Sequence, residues 1–340
     1  MVEYFGKEYL QVKKHLKSTI YVLLMLLIVL TLIVGCSRNE RMEEKEKIKI
    51  GIMLSDVGLG DQSFSDSAFK GLMKARDELG IIFDYRELKD TKTYEQGLRE
   101  LVKDGNDIVI GLGFMVQEDL EKVAKEYPKQ KFILIDSVSR LKNVTSITFK
   151  EDEGSFLAGV VAALTTKSNK VGFIGGDDVP LIRKFAAGFE RGVKAVNPNI
   201  HVHIVYAGDF GNAKLGAEMA KKMITEGSDV LYAAAGLTGV GALREAEANG
   251  VYAIGVDSDQ YFYAEKAVVT SMMKNVDVAL FKVIKEYVEK GSLPKGNVEL
   301  GLSGDGVGLA PIRVIPFTQE QEKIVETWGE KVANGEVATK

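Results

Sequence analysis

From residue 48 onward, short apolar runs alternate with longer stretches whose apolar positions recur every three or four residues. The short runs at 48–54, 81–85, 107–111, 131–136 and 144–149 have strand length, and the intervening stretches at 64–79, 93–103 and 115–127 have helical periodicity. Near-continuous apolar strands between amphipathic helices are the pattern of a parallel sheet covered on both faces. The pattern then recurs, with strands expected at 170–175, 201–206, 229–233 and 252–256 and helices at 179–196, 212–226 and 239–249. The halves also match in residues. KIGIMLSD (49–56) corresponds to KVGFIGGD (170–177), and FILIDS (132–137) to YAIGVDS (252–258). Gly80, Gly105 and Gly250 stand where helices should stop. The expectation is an α/β protein of two doubly wound, Rossmann-like lobes whose strand carboxyl ends share a crevice. A further strand at 268–273 and a helix at 275–290 are expected to return to the first lobe, which creates crossing strands and a hinge. Residues 48–150 with 272–296 then form one lobe, and 151–271 with 297–340 the other.

The first 36 residues have a different pattern. Lys7, Lys13, Lys14 and Lys17 precede an apolar run at 19–34 that ends in Ile33-Val34-Gly35-Cys36. A basic segment followed by a short apolar one reads as a secretory signal over 1–35. Its ending resembles the bacterial lipobox, which implies that Cys36 is acylated and becomes the new N-terminus. An uncleaved span is the alternative, at the lower limit of length for crossing a bilayer. Residues 36–47 form a charged tether too polar to fold alone. The folded part is therefore expected outside the cytoplasmic membrane.

Composition narrows the chemistry. Cys36 is the single cysteine, so neither an intramolecular disulfide nor a cysteine-based metal site can form. Net charge is -4, with no basic run after residue 36, and this leaves no electrostatic footprint for nucleic acid. Of three histidines, His15 lies in the leader while His201 and His203 alternate along one strand, so no metal site or catalytic dyad is expected. The loop 56–64 is Gly-rich but lacks GxGxxG and the P-loop lysine, which argues against a nucleotide cofactor. No GxSxG is present. Two carboxylates stand out. Asp136 and Asp257 end corresponding strands, where they can accept hydrogen bonds from ligand hydroxyl or N–H groups, or simply cap the next turn. Phe64 opens a helix beside the polar loop, and Tyr232 ends a strand near the Ala-Gly loop 234–236. Each is a ligand face or an ordinary core aromatic.

Taken together, SDVGLGDQSFSD (55–66), YPKQKFILIDS (127–137), EDEGSFLAGVVAAL (151–164), KVGFIGG (170–176), AAGLTGVGALREA (234–246), AIGVDSDQ (253–260) and VVTSMMKNVDVA (268–279) resemble the basic membrane protein family of substrate-binding lipoproteins. The resemblance implies a type I periplasmic-binding-protein fold and a monomeric receptor that delivers a purine nucleoside to an ABC permease. It implies no cofactor and no catalysis. Carried over residue by residue, it places the purine between Phe64 and Tyr232 and the ribose on Asp257 and Lys274. Asp56, Asp136 and Gly236 line the cleft. Ser65 stands where the family usually has Asn. The rival readings are a lipoprotein sensor for another small polar solute and, least favoured, a nucleotide-dependent enzyme.

Overall fold

The computed structural model describes residues 14–17, 19–26 and 47–339. Residues 14–17 and 19–26 are helical and exposed, while Cys36 and the tether to residue 46 lie outside the described residues. Among the described residues no helix is long and apolar enough to cross a membrane.

Residues 47–339 build two six-stranded sheets. The first holds β1 (Lys49–Met53), β2 (Ile82–Arg86), β3 (Ile108–Leu112), β4 (Lys131–Ile135), β5 (Val144–Phe149) and β11 (Gly296–Leu300), in the order β11-β5-β4-β3-β1-β2. The second holds β6 (Lys170–Gly175), β7 (His201–Tyr206), β8 (Val230–Ala234), β9 (Tyr252–Asp257), β10 (Val268–Lys274) and β12 (Val307–Leu309), in the order β12-β10-β9-β8-β6-β7. Every pairing is parallel except the antiparallel β10–β12. The central strands β3 and β8 are buried along their whole length, as their apolar sequences demand. Apart from the late edge strands, both sheets share one order. Each therefore reverses direction at one switch point, between β1 and β3 in the first sheet and between β6 and β8 in the second.

Helices cover these sheets at short range. Gly71 in the helix Phe64–Leu79 lets the helix Val276–Lys290 approach so closely that an added Cβ would lie 2.6 Å from the Asp277 carbonyl oxygen. The helix Glu151–Thr165 crosses Pro180–Val196 in the same way, with a Cβ on Gly192 falling 1.9 Å from the Phe156 carbonyl oxygen. Residues 151–162 of that helix are buried on every side, so it carries no amphipathic period and its sequence does not announce a helix. A last helix, Gln319–Ala333, begins with a Thr318/Gln321 capping box and sets Trp328 5.5 Å from Phe156.

The chain passes between the sheets three times, at 149–151, 274–276 and 300–307. The last two passages correct the expected division. β10 belongs wholly to the second sheet through Lys274, and only the helix after it returns to the first. β11 pairs with β5 in the first sheet, so residues 297–300 lie there and not in the second lobe.

Candidate ligand-binding site

The loops at the strand carboxyl ends enclose a cavity between the sheets. Its walls come from the switch points and the strands beside them. Asp56 and Phe64 follow β1, Gly113 follows β3, Asp136 follows β4, Gly236 follows β8, Asp257 ends β9 and Lys274 ends β10. All of these line one space, including six of the seven ligand positions expected from the sequence.

The seventh does not. Tyr232 sits in the middle of β8, in register between Phe173 and Ile254, and is fully buried. Its ring packs 5.4 Å from Phe173 and 5.2 Å from Phe189, and its hydroxyl shares a 3.1 Å hydrogen bond with Ser155. Tyr232 is a core residue, because β8 runs on to Ala234 and presents Ala234, Ala235 and Gly236 to the cavity instead. The aromatic faces from the second lobe are Phe185, on the inward stripe of Pro180–Val196, and Phe210, in the loop after β7. The apolar period at 182, 185, 186 and 189 marks Phe185 as inward-facing, but nothing in the sequence separates cavity from core.

At the deep end, Lys274 is buried and surrounded by carboxylates. Its Nζ lies 2.6 Å from Asp136 Oδ2 and 3.2 Å from Glu151, and 5.1 Å and 5.6 Å from the ring centres of Phe64 and Phe185. Burial alone would lower the Lys274 pKa. Asp136, Glu151 and Asp257 outweigh that and hold it above the usual lysine range. Asp257 behaves oppositely. Burial pushes it up to about 6, against the attraction of Lys274 and the hydroxyl donated by Ser63. Glu151 is raised by burial as well, despite Lys274 beside it. Asp136 Oδ1 is buried with no hydrogen-bond partner among the described residues.

Several of these contacts join the lobes. Ser63, held by the Asp61 carboxylate through a 2.9 Å backbone bond, donates across the cleft to Asp257. Gln260 Nε2 donates to the Gln62 carbonyl at 3.0 Å. Ser65 takes no part, since its hydroxyl bonds Ser55 at 2.6 Å. Asp61, Ser63, Glu151 and Gln260 escaped the sequence reading because their roles depend on contacts between distant segments. Toward the solvent end lie Asp56, which is exposed and faces the charge of Asp209, and the half-buried Tyr94.

A family model described as ABC transporter substrate-binding protein PnrA-like matches residues 47–339. The chain is 36% identical over 316 residues to the CD4+ T-cell-stimulating antigen of Listeria monocytogenes, covering 84% of this chain and 86% of that one. It is 35% identical to the ABC transporter nucleoside-binding protein BmpA of Lactococcus lactis, covering 81% and 86% respectively. Among solved structures, an ABC transporter solute-binding protein from Aeropyrum pernix superposes with a TM-score of 0.77 at 30% identity, covering 86% of this chain and 92% of that one. Members of the family bind substrates for transporters and are not enzymes. The chain belongs to the PnrA-like family of ABC transporter substrate-binding proteins, the basic membrane proteins.

Proposed function

We propose that this protein captures a purine nucleoside between its lobes and presents it to a membrane permease while tethered, as a monomer, by an acylated Cys36. The carrying observation is one cavity in which phenylalanine rings from both lobes stand beside buried carboxylates. That combination suits a flat apolar base joined to a polyhydroxylated sugar. Phe64 from one lobe and Phe185 and Phe210 from the other take the base, each ring contact contributing about 0.5–1.5 kcal/mol beyond area burial. Asp257 and the orphan oxygen of Asp136 take ribose hydroxyls, each charge-assisted bond contributing about 1.5–3 kcal/mol. Lys274 stays protonated and keeps the carboxylates in place. Binding at micromolar strength needs about 8 kcal/mol, which these contacts and ring burial can supply. The name of the Lactococcus relative supports the ligand class. Ligand that bridges the lobes would favour the closed form, and the permease would read that form.

The test is a thermal-shift screen of nucleosides, bases, sugars and amino acids against the folded protein. Guanosine, inosine or adenosine should raise the melting temperature, with about 2.7 kcal/mol of added stability at one hundred times the dissociation constant. A shift with sugars or amino acids and none with nucleosides would reject the purine and keep the clamp. The anchor has its own test. The Cys36→Ala chain should leave the membrane fraction or persist as a longer precursor, and an intact Met1 on the mature wild-type protein would exclude lipidation.

A further inference from the structure

Tyr94 is the first residue of the helix Tyr94–Lys103, whose N-terminus is fixed by the Thr93 hydroxyl accepting the Gln96 N–H at 3.1 Å. Its ring packs on the cluster around Met53 and Leu98 and lines the cavity. Its hydroxyl is buried and has no hydrogen-bond partner among the described residues. A buried phenol normally finds one, because water is lost on burial and must be replaced. Only one other such orphan atom belongs to a cavity-lining residue, Asp136 Oδ1, and that atom sits in the Lys274 cluster.

Tyr94 belongs to a different part of the wall. After burial itself, the charges that hold its proton on are Asp56 and Asp119, so the hydroxyl remains a neutral donor. Asp56 lines the same cavity. The cavity therefore has two polar ends. One consists of Asp257, Asp136 and Lys274; the other pairs an acceptor, Asp56, with a donor, Tyr94.

We infer that Tyr94 is a specificity-determining residue whose hydroxyl donates to an acceptor on the edge of the base, next to an N–H group taken by Asp56. The inference rests on the purine-nucleoside reading, which places the ribose at the lysine end and so the base edge at this one. A 6-oxopurine offers N1–H and O6 side by side, which matches an Asp–Tyr pair.

Tyr94→Phe keeps the ring and removes only the orphan oxygen. Without ligand the variant should melt at the wild-type temperature or slightly above, because an unpaired buried hydroxyl has been removed. In calorimetry, guanosine and free guanine should both bind more weakly by the same factor, about five- to tenfold, the value of one hydrogen bond. Unchanged affinity for both ligands would overturn the inference. So would a loss confined to guanosine, which would place the hydroxyl on the sugar, or a lowered ligand-free melting temperature, which would reveal a structural partner. A wild-type protein that binds no nucleoside overturns the functional reading and this inference with it, and that failure appears before the variant is measured.

Discussion

Asp136 and Asp257 occupy corresponding places in the two halves, and both adopt left-handed backbone angles, with φ of 67° and 64°. Such a conformation costs of order 1–3 kcal/mol and persists where the surroundings over-determine it. Here it turns each carboxylate from the end of its strand into the cavity. Asp257 also carries a second cost, since burial raises its pKa from 3.8 to about 6. The sign follows from proton linkage. The folded chain holds this proton longer than the unfolded chain, so the residue's contribution to ligand-free stability falls by roughly 3 kcal/mol as pH rises from about 4 to 6. An ionised Asp257 is the better acceptor for ribose hydroxyls, so guanosine affinity should rise as pH passes through about 6 and then level off. Free guanine, which has no ribose, should show no such rise. Asp257→Asn should flatten the guanosine profile and weaken binding at neutral pH by about 2 kcal/mol. Calorimetry from pH 5 to pH 8 measures both ligands, and a flat wild-type profile for guanosine would remove Asp257 from the sugar. These carboxylates were legible in the sequence because the internal repeat places them twice. Tyr232 was misread because it was placed at a strand's end beside the loop 234–236, whereas it stands within β8 with its ring packed in the core, and Ala234, Ala235 and Gly236 reach the cavity.

The elements owe their close packing to glycines of two kinds. Gly192 has no unusual backbone angle, yet a Cβ there would meet the Phe156 carbonyl oxygen at 1.9 Å, backbone against backbone. Gly250 is the reverse case, with φ of 67° and nothing within 4 Å of an added Cβ. Gly192→Ala must push two buried helices apart and should destabilise by about 3 kcal/mol or prevent folding. Gly250→Ala pays only for its backbone angle, about 1 kcal/mol. Chemical denaturation of the two variants checks the order, and an equal cost would mean that the helices yield easily. The terminating role of Gly250 could be read from the sequence, since it follows a helical period and precedes a strand. That of Gly192 could not, because its partner lies 36 residues away on a helix without an apolar stripe. The same lack of periodic contrast hid the Glu151–Thr165 helix, while the exposed strand β11 was too polar to announce itself.

At the scale of the whole molecule, the charges sit beside the passages between the lobes. Lys274 is the last residue of β10 before the chain crosses back, and Glu151 is the first helical residue after the earlier crossing. The ammonium group thus ties Asp136 of the first lobe to both crossing segments, at 2.6 Å and 3.2 Å. No local pattern encodes this arrangement, since Lys274 lies more than a hundred residues along the chain from both Asp136 and Glu151 and meets them only after both sheets have formed. Replacing Lys274 by Met keeps much of the volume and removes the charge, leaving buried carboxylates that face one another without a counter-ion. Breaking one side of a buried ion pair in this way costs about 3–5 kcal/mol, because the remaining charge has lost its partner in a poorly solvating interior. The cost should depend on pH with a definite sign. Burial already raises the Glu151 pKa, and without Lys274 the folded state would hold that proton to still higher pH. An acid whose folded pKa lies above its unfolded value loses stability as pH rises, so Lys274→Met should be most damaging near pH 8 and partly rescued near pH 5. Urea denaturation of wild-type and variant at both pH values gives the difference. Equal destabilisation at the two would mean that the lysine acts through packing on Phe64 and Phe149, and that its charge does not hold the lobes together.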